Sequence, residues 1–271
     1  MDLAPHAAAR DAPRPRHKAR AIRGVVCDLD GVLTQTDRAH RLAWRQALAP
    51  VLDAHGLAQP SEALMAACLD GRSRMDGLDA LLDALGLALP AGEAGAAPGC
   101  ATRQAIAAAK QARYLAVLDA SGAKPYDDAR RLLGRLAAAG VPLAVASASA
   151  SARRVLHAAA LSPLVGVVVD GSDRQRLGLP GKAGQFRHAA ALLGLPPDRC
   201  AVVEDAPAGV RAAEGFGLVV GVDRARTGQL APAGADLVVP TLDHPSLPAR
   251  LGLPAPVADR APPARASLRA G

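Results

Sequence analysis

Asp28 and Asp30 stand one residue apart at the end of an apolar run, Val25-Val26-Cys27, and Gly31 comes directly after them. Carboxylates at that spacing, with a residue free to make a tight turn after them, could set a nucleophile beside a general acid/base. The same pattern is also an ordinary strand end closed by turn-forming Asp and Gly. Three further stretches favour the chemical reading. Val145-Ala146-Ser147-Ala148-Ser149 puts hydroxyls and backbone N–H groups after a second apolar run, Gly181-Lys182 supplies a cation in a loop before a helix, and Val202-Val203-Glu204-Asp205 ends another run in two carboxylates. Together they offer carboxylates for a hard cation, Lys and Ser for phosphate oxygens, and a carboxylate free to attack. That is equipment for phosphoryl transfer. Mg²⁺ prefers oxygen ligands and keeps waters, which suits Asp28, Asp205 and the Asp30 backbone carbonyl, with Glu204 close by. The Lys182 ammonium would screen the negative charges of nucleophile and phosphate.

For these residues to meet, the runs that carry them must lie side by side. Short β-branched runs recur at 22–27, 141–146, 165–169, 200–203, 218–222 and 237–239, with helical periodicity near 127–139, 151–160, 185–193 and 206–214. Strands separated by single helices predict βαβ units and a parallel sheet, buried on both faces, whose carboxyl ends form a ligand crevice. The fold class expected is α/β, a Rossmann-like parallel sheet flanked by helices. Residues 39–120 hold no strand pattern. Ser61 before Glu62 and Thr102 each open a helical stretch there, and 89–100, rich in Gly, Pro and Ala, reads as a loop. The expected organisation is a core of 21–38 and 121–245, a helical cap of 39–120 inserted after the first strand, and tails at 1–20 and 246–271.

The chain of 271 residues carries a net charge of +7, from 32 basic and 25 acidic side chains. Its placement matters more than its size: residues 1–23 hold six Lys/Arg against two Asp, and 250–271 hold four Arg against one Asp, so the stretch between them sums to zero. A nucleic-acid surface would carry its basic stripe on the folded part. The two Pro/Ala/Arg tails lack the apolar periodicity needed to offset the entropy of ordering and read as disordered. No apolar run approaches the about 18 residues of a membrane span. The four cysteines, Cys27, Cys68, Cys100 and Cys200, form no C-x-x-C pair, which points to a reducing cytoplasm. A monomer is expected, with no nucleic acid or membrane as its main partner.

The four motifs, in this order, resemble the haloacid dehalogenase superfamily over about residues 21 to 240, and within it the β-phosphoglucomutase-like branch. Thr36, then His40-x-x-Ala43-Trp44, is similar to that branch's signature after the first motif. Asp70-Gly71-Arg72-Ser73-Arg74 resembles a cap loop that brings an Arg to a distal phosphate, and Lys110-Gln111 with Tyr114 resembles a cap helix whose Lys faces the substrate. The resemblance implies that Asp28 is the nucleophile, becoming an aspartyl phosphate, and that Asp30 is the general acid/base. It implies that Ser147 and Lys182 hold the transferring phosphoryl group and that Asp28, Asp30, Glu204 and Asp205 form the Mg²⁺ site. Thr36, His40, Trp44, Arg74, Lys110 and Ser149 form the implied substrate-binding set. His40 would orient Asp30 or couple cap closure to it. Trp44 reads first as a core anchor, since aromatics make up only 2% of the chain. His157 and His188, on helices away from strand ends, read as structural or exposed.

The chain departs from the family pattern at Gln35, where Asp is usual, and at Ser151, where Asn is common. After Lys182 it is two residues shorter and lacks two prolines, so the loop would hold the Lys less firmly or start its helix earlier. The function implied is interconversion of β-D-glucose 1-phosphate and glucose 6-phosphate by phospho-Asp28. A sugar-phosphate phosphatase with the same nucleophile is one alternative; a binding or regulatory protein that kept only the fold is another.

Overall fold

The computed structural model describes residues 21–253. In chain order these form β1 (Gly24–Cys27), α1 (Asp37–Ala54), α2 (Glu62–Leu69), α3 (Arg74–Ala84), α4 (Arg103–Ser121), α5 (Asp127–Ala138), β2 (Leu143–Ala146), α6 (Ala152–Ala158), β3 (Val167–Val169), α7 (Gly171–Leu177), α8 (Gly181–Leu192), β4 (Cys200–Glu204), α9 (Pro207–Ala212), β5 (Leu218–Val222), β6 (Leu237–Val239) and α10 (Leu247–Arg250). Short 3₁₀ turns precede β3 and β4.

The strands pair in the order β3-β2-β1-β4-β5-β6, all parallel. The chain therefore leaves central β1 toward one edge and returns to β4 on its other side, which makes the carboxyl ends of β1, β2 and β4 the switch point where such sheets bind ligands. Alternation along β1 serves both faces. Val25 and Cys27 pack with Leu132, Leu133, Leu136 and Val155 from α5 and α6, while Val26 packs with Phe186, Ala189 and Val210 from α8 and α9. With Ala and Val filling both layers, helices lie directly on the strands.

Helices α1 to α4 build a second apolar centre around Trp44, Leu48, Met65, Leu78, Leu81 and Ile106. Ser61, Ser73 and Thr102 accept backbone N–H groups as N-caps. The segment 89–100 carries no helix or strand.

Three boundaries differ from expectation. Residues 246–253 are not tail: α10 lies there, and Leu247, Leu251 and Leu253 are buried against the sheet. The i, i+4 spacing of the first two makes a short apolar face, which the neighbouring Pro and Arg residues obscure. Helix α7 gives no apolar periodicity in the sequence because its residues are mostly polar; Asp170 nucleates it through a capping box with Asp173. Helix α8 begins at Gly181, so Lys182 lies in its first turn and not in a loop. The missing residues leave no slack for a separate loop. The expectation for 1–20 and the remaining C-terminal residues lies outside the described part.

Candidate active site

Each strand of the switch point ends in a site residue. The Asp28 N–H continues the β1–β4 ladder to Val203 O at 2.9 Å, and the Ser147 N–H donates to Val169 O at 3.0 Å. Backbone pairing thus fixes where both side chains start. Gly31 then turns the chain at φ +84°, and a Cβ there would sit 1.9 Å from Asp205 Oδ2, so the turn needs glycine for conformation and for space. Gly209 is required for space alone: its Cβ would lie 1.9 Å from Glu204 Oε1.

Asp28 is nearly buried, and Lys182 Nζ donates to its Oδ1. The same ammonium lies 3.4 Å from Glu204 Oε1 and 5.3 Å from the centre of the Phe186 ring. Glu204 is fully buried; its Oε2 accepts the N–H groups of Asp205 and Ala206, both at 2.8 Å, while Oε1 accepts no hydrogen bond. Burial is the first cause that pushes Asp28 up to about 7; Lys182 opposes it, and Glu204 and Asp30 add to it. Asp205 is driven well above the usual carboxylate range by burial and then by Glu204 and Asp28. Lys182 stays above its ordinary value because these anions outweigh its desolvation.

This is a site with more negative charge than one ammonium can neutralise. Asp28, Glu204 and Asp205 each offer a carboxylate oxygen, and the three oxygens lie within 4.8 Å of one another. A hard divalent cation on that all-oxygen set would satisfy Glu204 Oε1 and relieve the mutual repulsion, so the residues fit Mg²⁺. The Asp30 carboxylate is not in that group. It faces the other way, accepting Thr36 Oγ1 at 2.5 Å and Ser147 Oγ at 3.3 Å. Thr36, expected at the substrate, is instead buried behind Asp30, with Thr34 Oγ1 2.7 Å from its hydroxyl. A half-buried carboxylate is stabilised by such donors, and Thr36 is not among the residues that border the cleft.

From Asp30 the contacts lead into the cap. His40 Nε2 lies 3.4 Å from Asp30 Oδ1, and its Nδ1 is 2.6 Å from Lys110 Nζ. With the ammonium donating, Nδ1 accepts and Nε2 presents its N–H to Asp30. Tyr114 stacks on the imidazole at 4.0 Å, and Lys110 Nζ sits 4.8 Å from the Tyr114 ring and 5.5 Å from that of Trp44. Burial lowers His40, with Lys110 reinforcing it; burial and then Arg74 bring Lys110 down to about 7. Asp30 is held below its usual range, its desolvation outweighed by His40, the Thr36 hydroxyl and Lys110. Arg74 donates to Gln111 Oε1 at 2.7 Å, and Gln111 donates to Ser151 Oγ at 2.9 Å, crossing from cap to core. Arg174 and Asp76 make a second crossing at 2.9 Å. One cleft is bordered by Asp28, Asp30, His40, Arg74, Lys110 and Lys182, with Trp44, Ser149 and Asp205 also on its wall. His157 and His188 lie outside it.

Two residues of the site carry no signal in the motifs. Gln185, fully buried, donates to Ser147 O at 2.7 Å and Asp170 O at 3.1 Å, tying α8 to the ends of β2 and β3. Arg224, just past β5, donates to Gly31 O and Val32 O. Arg224 stands just past the end of β5, as the site residues of β1, β2 and β4 stand at the ends of theirs.

A family model for haloacid dehalogenase-like hydrolases matches residues 22–217. The chain belongs to this family. Its place within the family is the β-phosphoglucomutase-like branch: it is 35% identical over 241 residues to a β-phosphoglucomutase of Mycobacterium tuberculosis, covering 82% of this chain and 90% of the relative. The β-phosphoglucomutase of Bacillus subtilis is 32% identical over 225 residues, 80% and 89% of the two chains. Hexitol phosphatase A of Escherichia coli is 31% identical over 189 residues, 69% and 76%. A β-phosphoglucomutase structure from Clostridium difficile shares the fold at TM-score 0.69 and 23% identity, over 85% of this chain and 97% of that one. The resemblance read from the motifs is borne out, as is the α/β core with its helical cap. No helix among the described residues is long and apolar enough to cross a membrane.

Proposed function

We propose that the protein is a Mg²⁺-dependent phosphomutase acting on a sugar phosphate through phospho-Asp28, with β-D-glucose 1-phosphate and glucose 6-phosphate as its pair. The observation that carries this reading is the run of contacts from Asp30 through His40 to Lys110. A residue placed as acid/base at the nucleophile is thereby tied to a cap cation, an arrangement that links chemistry to closure over a substrate with a second phosphate.

In this reading a sugar hydroxyl attacks phospho-Asp28 as the bond from phosphorus to the Asp28 oxygen breaks, and Asp30, a carboxylate in the substrate-free protein, takes its proton. Asp28 Oδ then attacks the other phosphorus of the bisphosphate while the bond to the leaving sugar oxygen breaks, and Asp30 returns the proton to that oxygen. Lys182 and Ser147 hold the transferring phosphoryl oxygens, and Arg74 and Lys110 hold the other phosphate. Mg²⁺, held by Asp28, Glu204 and Asp205 with the Asp30 backbone carbonyl, would supply charge neutralisation for the approach of two anions. The thiols and the apolar pattern support a cytoplasmic setting.

Hydrolysis of a sugar phosphate with the same nucleophile is the second reading, favoured by the likeness to hexitol phosphatase A. Acid-quenched protein exposed to labelled β-glucose 1,6-bisphosphate tests the shared chemistry. Label should appear on Asp28 in the wild type and be absent from Asp28→Asn; label that persists in the variant would refute the mechanism.

A further inference from the structure

Arg224 is bound more completely than a surface arginine has reason to be. Its Nε donates to Gly31 O at 3.1 Å and its Nη2 to Val32 O at 2.9 Å. The same guanidinium forks onto Asp128, Nη1 to Oδ2 at 2.8 Å and Nη2 to Oδ1 at 3.0 Å, and lies over Tyr126, 3.6 Å from the ring centre. Asp128 is anchored in its turn by Thr241 Oγ1 at 2.5 Å and by the Leu242 N–H at 2.8 Å. Four donated hydrogen bonds and an aromatic face leave the guanidinium little freedom.

The two carbonyls it holds belong to the residues directly after Asp30. Asp28 does not depend on them, because its own N–H is in the ladder to Val203. Asp30 lies beyond the ladder, on a turn closed by Gly31 N–H to Thr34 O at 2.8 Å, Leu33 N–H to Leu29 O at 2.9 Å and Thr34 N–H to Leu29 O at 3.0 Å, and contacts from other elements fix where that turn stands. The segment before α5 holds its far end, through Gln35 N–H to Lys124 O and Tyr126 N–H to Leu33 O. Arg224 holds the near end.

From this geometry we infer that Arg224 is a positioning residue for Asp30, clamping the Gly31–Val32 turn so that the carboxylate stands where a proton must be moved. The inference rests on the phosphoryl-transfer reading proposed for the site. It predicts a selective defect: a loosened turn misplaces the Asp30 carboxylate and leaves Asp28 in register. Transfer to phosphorus with a leaving group that needs no proton should survive, and transfer that needs Asp30 as base should not.

The experiment separates the two steps. p-Nitrophenyl phosphate charges Asp28 as its P–O bond breaks and p-nitrophenolate departs without a proton, so the pre-steady-state burst reports Asp28 alone. β-D-glucose 1-phosphate is then added; its hydroxyl forms the new P–O bond, the bond from phosphorus to the Asp28 oxygen breaks, and the proton passes to Asp30. In Arg224→Lys, which keeps charge and loses the fork, the burst rate should stay within about 3-fold of wild type while discharge to the sugar slows about 10- to 100-fold, part of the range general-base catalysis commands. Arg224→Gln should behave likewise, and Asp30→Asn should show the same split more strongly. Equal losses in both steps, or no loss in either, would overturn the role of Arg224. Turnover of p-nitrophenyl phosphate undiminished in Asp28→Asn would refute the phosphoryl-transfer reading itself, and Asp30→Asn distinguishes that failure from failure of the clamp.

Discussion

The two walls of the cleft are built differently. On the core wall, Asp28, Ser147 and Glu204 continue or end paired strands, and backbone hydrogen bonds fix their positions. On the cap wall, His40, Arg74 and Lys110 stand on α1, α3 and α4; the inner faces of α1 and α4 pack Ala43, Tyr114 and Leu118 into the core's apolar layer, and polar side chains add His40 to Asp30, Gln111 to Ser151, Asp76 to Arg174 and Asp119 to Arg154. The first wall is rigid by topology. The second is held by packing of side chains and by a few polar contacts, the latter each a modest fraction of the stability. Chemistry on one wall and selection on the other is the consequence of this division.

The largest effects should come from the core wall and should not depend on the substrate. Lys182→Ala leaves Asp28 and Glu204 without their shared cation, and turnover should fall on the order of 10³-fold with sugar and aryl phosphates alike. Steady-state rates with both substrates check this. A loss confined to the sugar would move Lys182 to the cap's role.

Cap-wall changes should be smaller and selective. Lys110→Ala should lower turnover of a bisphosphorylated sugar about 10²-fold and aryl phosphate hydrolysis less than about 3-fold, since only the former needs the distal cation. The pH dependence sharpens this. Lys110 is brought down to about 7 by burial and then by Arg74, so raising pH through that value removes the cation from the free protein. KM for the sugar phosphate should rise across about pH 6 to 8, and Lys110→Arg should flatten the rise.

The metal prediction concerns stability. Mg²⁺ should stabilise the fold by roughly 2.7 kcal/mol at a hundred times its Kd, because it binds only the assembled carboxylates. A thermal melt with and without chelator measures the shift, and Glu204→Gln should reduce it.

The smallest effect lies away from both walls. Although burial alone would raise it, Asp128 is held near 2 by hydrogen bonds from Arg224, Thr241 and Leu242. A depressed carboxylate contributes stability above its unfolded value and loses it as pH falls through the folded one. Asp128→Asn should therefore cost on the order of 1 kcal/mol at neutral pH, after allowance for solvent screening, and clearly less near pH 2. Urea titrations at both pH values check the difference.

The same division governs what the sequence makes legible. Asp28, Ser147 and Glu204 each close a short apolar run, so local pattern and parallel topology locate them together. Lys182 is recognisable as a site cation, and the shortened stretch after it allows a looser loop or an earlier helix start, of which the structure has the second; the number of residues a helix start consumes is a packing question. Thr36 sits behind Asp30 and not at the substrate, since its contact depends on the curvature of the turn. Arg224 and Gln185 act on backbone carbonyls far away in sequence, and such contacts leave no periodicity. The cap's tethers are visible only through resemblance, since Gln111 and Ser151 are 40 residues apart and neither is chemically unusual.

The most direct test measures glucose 6-phosphate and free phosphate separately. Purified protein is given Mg²⁺, β-D-glucose 1-phosphate and a trace of the 1,6-bisphosphate. Rapid glucose 6-phosphate with little free phosphate is expected, because a cap tied to Asp30 keeps water from phospho-Asp28. Free phosphate without glucose 6-phosphate would contradict the phosphomutase reading and leave the protein a phosphatase whose cap wall selects some other substrate.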